Sequence, residues 1–350
     1  MQGWRDTAIA AGFATFRATG LHRLLAPWTR GRGAILMFHH VRPNGSEAFA
    51  PNRVLEITPE FLESVIVLLR ARNFEIVSLD TALARLAAPK QPGEKPFAVL
   101  TFDDGYRDNR DFALPVLRRH QAPFALYVTT GFAERSARLW WRELEAAVRR
   151  LDVIECDGPA GPLRLAAQTD AQKSRAFDTI YWQLRGQGED VLLATIARLC
   201  GDAGVDAKAL VAQACMDWDE IETIAREPLC TIGVHTLSHP RLAKLSLEAA
   251  RQEMAESRAI ITARIGRPAR HFSYPVGDAT SAGAREFQLA SQTGFASAVT
   301  TRPGMVLQAH AARALALPRL SVNGKWQQLE MMDVLLSGAP FALLNRGRAA

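Results

Sequence analysis

Two carboxylates stand side by side in Thr-Phe-Asp-Asp-Gly-Tyr, residues 101–106, and two imidazoles lie four apart in His-Thr-Leu-Ser-His, residues 235–239. Alone, Asp103-Asp104-Gly105 reads as an Asp-Gly turn with a solvated acid, and either histidine as a hydrogen-bonded loop residue. Together they offer more. Two imidazoles and one carboxylate make a set of three ligands suited to a divalent metal with an open water position. A second carboxylate at the same mouth can then take a proton. Two further histidines, His39 and His40, close the run AILMFHHV, and the stretch FSYPVGD spans residues 272–278. Other signatures are missing: the chain has no GxSxG elbow, no P-loop, no GxGxxG after a strand and no HExxH.

These residues need elements to hold them. AILMFHHV (34–41), FAVLTF (97–102), FALYVTT (124–130) and CTIGVHT (230–236) read as buried strands, followed by HFSYPVG, FASAVTT and LPRLSV. Helical patterns alternate with them: TPEFLESVIVLLRARN has a start signal at Thr58, FEIVSL follows as a strand, and SLEAARQEMAESRAIITARIG makes a long helix. The rhythm predicts a parallel α/β architecture, and six to eight such units favour a barrel whose strand C-termini carry the site. Residues 34–139 and 214–335 form this barrel. Residues 140–213 are helical in pattern, with a hairpin at VIECDGPAGPLRLA, and are read as an insertion on the rim. Residues 1–33 form an N-terminal amphipathic helical segment, and 336–350 a C-terminal tail, loosely held after about Pro340.

Composition narrows the partners. The chain has 350 residues, 48% of them hydrophobic, enough for one large core. Its net charge of +6 is not gathered into a basic run with interleaved aromatics, so nucleic acid is not expected as a partner. Four cysteines without CxxC spacing argue against a zinc ribbon or a disulfide framework and suit a reducing compartment. No apolar run reaches the length of a membrane span. Near the N-terminus Ile9, Phe13, Phe16, Gly20 and Leu24 fall at helical spacing, interrupted by Arg17 and Arg23. The favoured expectation is a helix docked on the protein's own core; the second is a helix on an anionic membrane surface. The segment lacks the h-region and cleavage site of a secretory signal, so a cytoplasmic location is expected, with peripheral contact at the inner face of the membrane as an extension of it. The sequence leaves the oligomeric state open.

TFDDGY with HTLSH resembles the first two motifs of the polysaccharide deacetylase family, carbohydrate esterase family 4, which includes nodulation-type chitooligosaccharide deacetylases and peptidoglycan deacetylases. FSYPVGD is similar to the third motif. The resemblance implies a distorted (β/α)7 barrel, here with a helical insertion. It also implies Asp104, His235 and His239 as ligands of zinc or another divalent transition metal, Asp103 as general base and the backbone N–H of Tyr106 as oxyanion donor. Two departures follow. The late Leu-x-His motif that supplies the usual general acid is missing from FASAVTT and LPRLSV, whereas ILMFHHV resembles the circularly permuted arrangement of deacetylases acting on biofilm poly-N-acetylglucosamine. On that match His39 is the proton donor; His40, which should face the other way if the strand persists that far, ranks second. Ser273 stands where many relatives carry an arginine that orients the base, and Arg319 of LPRL is the candidate for that role. Tyr274, Pro275 and Asp278 are candidates for binding or orienting substrate, as is His271 beside the same loop. Trp140 and Trp141 resemble a sugar-stacking platform, although adjacent tryptophans at a helix start are more often packing residues. The activity implied is hydrolysis of an N-acetyl group from an N-acetylated sugar in an oligosaccharide, polysaccharide or glycoconjugate, releasing acetate and a free amine. The alternatives are a deformylase or deacylase of another N-acylated compound, and a non-catalytic glycan-binding relative, which would have no need of Asp103.

Overall fold

Strands covered on both faces can be apolar throughout, and the runs read from the sequence behave this way. In the computed structural model, which describes residues 12–13, 15–158 and 161–344, β1 (Gly33–Phe38) and β2 (Phe97–Phe102) are buried at every position. They are followed by β3 (Phe124–Val128), β4 (Cys230–Val234), β5 (His271–Ser273), β6 (Ser297–Pro303) and β7 (Leu317–Ser321). Each pairs in parallel with the next, and β7 pairs with β1, so seven strands close into a barrel. The barrel is distorted: β5 has three residues, and the register of β6 on β7 shifts between Val299 and Pro303.

Alternation along the strands sorts the core into two layers. Ile35, Val99, Tyr127, Val299 and Leu317 form a cluster inside the barrel with Leu79, Ala82 and Leu86 of the helix Leu79–Ala87. Leu36, Phe38, Leu100, Phe102 and Leu126 point the other way, into the larger core beneath the surrounding helices. One of these helices, Pro59–Ala71, opens where expected: the Thr58 hydroxyl accepts from the Phe61 N–H, and Phe61, Leu62, Val65, Ile66 and Leu69 are buried. FEIVSL is a shorter strand than its pattern suggests. Only Glu75–Ile76 pairs with β2, because Ser78 accepts from the Thr81 N–H and turns the chain into the helix Leu79–Ala87.

The insertion comprises the helices Trp140–Arg150, Asp170–Gly186, Glu189–Asp202 and Ala207–Ala214 and an antiparallel hairpin, Val153–Gly158 with Gly161–Ala166. Its apolar cluster also takes in Phe49, Tyr106 and Phe132 from barrel loops, which seats it on the rim above the strand C-termini. The N-terminal helical pattern is not one helix. Ile9 lies outside the described residues, and Gly20, at φ 64°, breaks the pattern so that Leu21–Thr29 forms a separate helix. His22 and Ala26 face inward; Leu21, Leu24 and Trp28 are exposed. No helix among the described residues is long and apolar enough to cross a membrane.

The tail expected to be loose after about Pro340 is held as far as residue 344, in the helix Ala339–Leu344. Leu336, Ala339 and Phe341 are buried, Thr29 Oγ1 donates to the Ser337 carbonyl at 2.6 Å, and Gly338 turns at φ 76° where a side chain would strike the Thr29 carbonyl. Residues 345–350 lie outside the described residues.

Candidate active site

The register that pairs Met37 with Thr101 and Phe38 with Phe102, continued one residue, sets His39 beside Asp103 at the mouth of the barrel. Alternation gives both the inward direction, and both line one cleft with Asp104, His235 and His239. Asp104 follows at φ 73° and Gly105 at φ 70°, a reversal that aims the two adjacent carboxylates differently. Of the seven non-glycine residues in the left-handed region among the described residues, four, Asp104, Thr236, His239 and Val276, lie in the loops at this mouth. Backbone strain is thus concentrated where the chemistry-bearing residues are, as at other over-determined sites.

Asp103 is buried and held in a fork by Arg319: Nη1 donates to Oδ1 at 2.8 Å and Nη2 to Oδ2 at 2.7 Å. Arg319 also donates to the Ser273 hydroxyl at 3.1 Å and the Thr101 hydroxyl at 3.2 Å. Burial favours the neutral acid, but the Arg319 guanidinium and His235 outweigh it and hold the Asp103 carboxyl below its usual range. Arg319 thus takes the charged position beside the carboxylate, while the Ser273 hydroxyl donates to Asp103 Oδ2 at 3.4 Å.

The Nε2 atoms of His235 and His239 each lie 3.3 Å from Asp104 Oδ1. The three residues offer ligand atoms all within 4.8 Å of one another. His235 Nδ1 is 2.7 Å from the Ser273 carbonyl, which can only accept, so Nδ1 carries a proton and Nε2 is the nitrogen that faces Asp104. The three residues thus aim a buried carboxylate oxygen and two imidazole nitrogens at one point, a donor set that fits a divalent cation.

Around these groups the structure adds residues that the sequence reading missed. Glu253, on the helix Leu247–Ile265, accepts from the Leu237 and Ser238 N–H groups at 2.8 and 3.0 Å and braces the loop between the two histidines. Asp108 accepts from the Val41 N–H at 3.3 Å and pairs with His40 Nδ1 at 2.6 Å. Asn109 donates to the His39 carbonyl at 2.9 Å. The signal for the last two was at hand, since Asp108-Asn109 follows Tyr106 by two residues.

The remaining candidates divide. His40 faces away from the cleft and stacks on Tyr106 at 3.6 Å, so it does not stand second to His39 in the site. Among the described residues no group accepts from the Tyr106 N–H; its only bridge, to Cys215, uses the Gly105 carbonyl instead. Tyr274 is buried under the loop, its hydroxyl donating to the Leu315 carbonyl at 2.9 Å, and neither it nor Pro275 lines the cleft, contrary to their candidacy as substrate contacts. Pro275 instead accepts in the tight turn closed by Gly277 N–H at 2.6 Å. Asp278 does line the cleft, but its carboxylate is paired with Arg185 at 2.8 Å. His271 begins β5 at the opposite end of the barrel, beside Ser297 and Asp80. Trp140 and Trp141 line the cleft while packing: Trp141 Nε1 donates to the Tyr106 hydroxyl at 3.2 Å, and its ring lies 4.9 Å from that of His239.

A closed seven-stranded barrel with an Asp-His-His cluster and a paired carboxylate at its mouth defines a barrel hydrolase. The profile of the polysaccharide deacetylase family matches residues 90–158 and 175–298, more than half of the sequence. The chain therefore belongs to that family and is a hydrolase of the carbohydrate de-N-acetylase class. Similar solved structures include a deacetylase, PplD, of Streptococcus pyogenes in complex with acetate, 16% identical, with 86% of this chain and 97% of that one covered at a TM-score of 0.58. IcaB from Ammonifex degensii is 17% identical over 87% of this chain and 96% of that one, TM-score 0.53. A de-N-acetylase from Aggregatibacter actinomycetemcomitans is 13% identical over 86% and 98%, TM-score 0.52. At these identities the likeness is one of fold. A search of curated proteins finds no match.

Proposed function

We propose that the chain removes acetyl groups from the acetamido nitrogens of an oligo- or polysaccharide, with zinc or a similar divalent ion at Asp104, His235 and His239. The observation that carries this reading is the Asp103–Arg319 fork set beside the Asp104-His235-His239 cluster in one cleft with His39. A divalent ion held there supplies Lewis acidity towards water and the acetamide oxygen. Asp103, kept as a carboxylate by Arg319, takes the proton from water as its oxygen adds to the acetamide carbon. The N–H of Tyr106 donates to the oxyanion that develops. His39 protonates the nitrogen as the C–N bond breaks, so that acetate and a free amine leave.

The test is acetate release from N-acetylglucosamine oligomers by protein stripped with chelator and reloaded with zinc, beside Asp103→Asn and His39→Ala. Stripping should abolish release and zinc restore it, and each variant should lose about 10²–10⁴-fold in rate. Release that survives stripping overturns metal dependence; undiminished release in His39→Ala overturns the assignment of the acid.

We also propose that the protein works in the cytoplasm, at the inner membrane surface. Four free, buried cysteines support a reducing compartment. The exposed row Leu21, Leu24 and Trp28 on the helix Leu21–Thr29, with Arg17 and Arg23 nearby, supports contact with anionic lipid. Co-sedimentation with anionic vesicles should be lost in Leu24→Ser/Trp28→Ser; binding that persists sinks this part.

A further inference from the structure

The cleft that holds the catalytic groups is larger than they need, about 580 Å3, and one wall of it is the insertion helix Asp170–Gly186. A continuous run of rings leads outward along that wall. From His239 the path steps 4.9 Å to Trp141, 5.8 Å to Trp140, 5.1 Å to Tyr181 and 5.3 Å to Trp182. The two inner tryptophans are buried, whereas Trp182, at the outer end, is 53% exposed while lining the cleft. Arg185 lies over the Tyr181 and Trp182 rings at 5.9 and 5.6 Å, which fixes the indole by a cation–π contact. Asp178, one helical turn before Trp182 and on the same face, offers an exposed carboxylate beside it.

The C-terminal end of this wall is tied to two of the catalytic loops. Arg185 donates to Asp278 of the β5–β6 loop at 2.8 Å. Arg241, two residues past His239 and 3% exposed, donates to Glu189 at 2.7 Å and to the carbonyls of Arg185 and Gln187. The loop that carries a candidate metal ligand therefore also clamps the end of the insertion helix. A flat aromatic face held at fixed distance from a reacting centre is what a pyranose needs: its C–H face packs on the ring while its hydroxyls reach polar neighbours such as Asp178.

Resting on the reading of the substrate as an acetamido glycan, we propose that Trp182, backed by Tyr181 and Arg185, is a second sugar subsite, which stacks on the unit next to the one being deacetylated and makes the enzyme prefer oligosaccharides to single sugars.

The experiment is calorimetric binding of N-acetylglucosamine tetramers, in β-1,4 and β-1,6 linkage, to the zinc-loaded Asp103→Asn protein, with and without Trp182→Ala and Trp182→Phe. Turnover of tetramer and monosaccharide is measured in parallel with Asp103 intact. Trp182→Ala should weaken tetramer binding roughly tenfold and erase most of the preference for tetramer in kcat/KM, mainly through KM, while Trp182→Phe restores much of both. Binding that does not depend on residue 182, or no binding of either tetramer, overturns the subsite. Binding that depends on Trp182 without acetate release from the protein with Asp103 intact overturns the proposed reaction and leaves the subsite standing. Trp182 is on the surface, so unchanged circular dichroism and Tm should accompany the loss.

Discussion

At the scale of single residues, the Asp103–Arg319 pair ties a buried carboxylate of the cleft to the last strand of the barrel. Both partners are buried, and each answers the other's desolvation with two hydrogen bonds. Removing one partner leaves the other charge stranded, which costs about 3–5 kcal/mol. Arg319→Ala should therefore lower the free energy of unfolding measured in urea by that amount and abolish activity. Arg319→Lys restores the charge but not the planar fork, so we expect a protein that folds and holds zinc stoichiometrically yet turns over about 10–100-fold more slowly; full activity in the lysine variant would show that charge alone suffices. Asp103, Asp104, His235 and His239 were legible in the sequence because their chemistry is packed into two short stretches. Glu253 was not, because a lone acid in a long amphipathic helix has the same pattern whether it braces a loop or faces water.

Among the elements, the loop after β5 shows how a turn can be set against its own preferences. Val276 sits at φ 62° and Gly277 at φ 61°, and a Cβ on Gly277 would come within 2.9 Å of the Tyr274 carbonyl and the Thr301 nitrogen. The glycine suits its place, whereas the β-branched valine is held there at a cost of roughly 1–2 kcal/mol. Val276→Gly should recover part of this, raising stability by about 0.5–1 kcal/mol in thermal unfolding, while loosening a turn whose next residue anchors Arg185 and so lowering kcat/KM for glycans. A destabilised variant would mean that the valine's packing outweighs its strain. The barrel itself was readable, because strands buried on both faces leave unbroken apolar runs between helical patterns. What the pattern hid were elements decided by a single cap or a distant partner: Ser78 ended FEIVSL early, and Phe341 found its burial against a helix some three hundred residues earlier in the sequence.

For the molecule as a whole, Asp333 joins the two ends of the described chain. It accepts from Arg72 and Arg23 and lies 3.5 Å from His22. Burial pushes its carboxyl upward, but Arg72 and then Arg23 and His22 bring it down to about 2. A depressed folded-state pKa contributes stability that is present above the unfolded value, near 3.8, and lost as pH falls through about 2. Allowing for screening at the exposed Arg23, the contribution is about 1–2 kcal/mol. Asp333→Asn should thus cost stability at pH 7 and flatten the acid limb of a stability profile between pH 4 and 2; a profile parallel to that of the natural chain would place the acid sensitivity elsewhere. The closure of the barrel carries a further consequence for biosynthesis. The strand that leads into His39 meets its second neighbour only when residues 317–321 have left the ribosome, on the order of tens of seconds later at ordinary translation rates. The same late strand delivers Arg319 to Asp103. A nascent or truncated chain that ends before this strand would hold an open sheet with Asp103 unpaired, so we expect no acetate release from a variant truncated before residue 317, and full release from it would show that the late strand is dispensable.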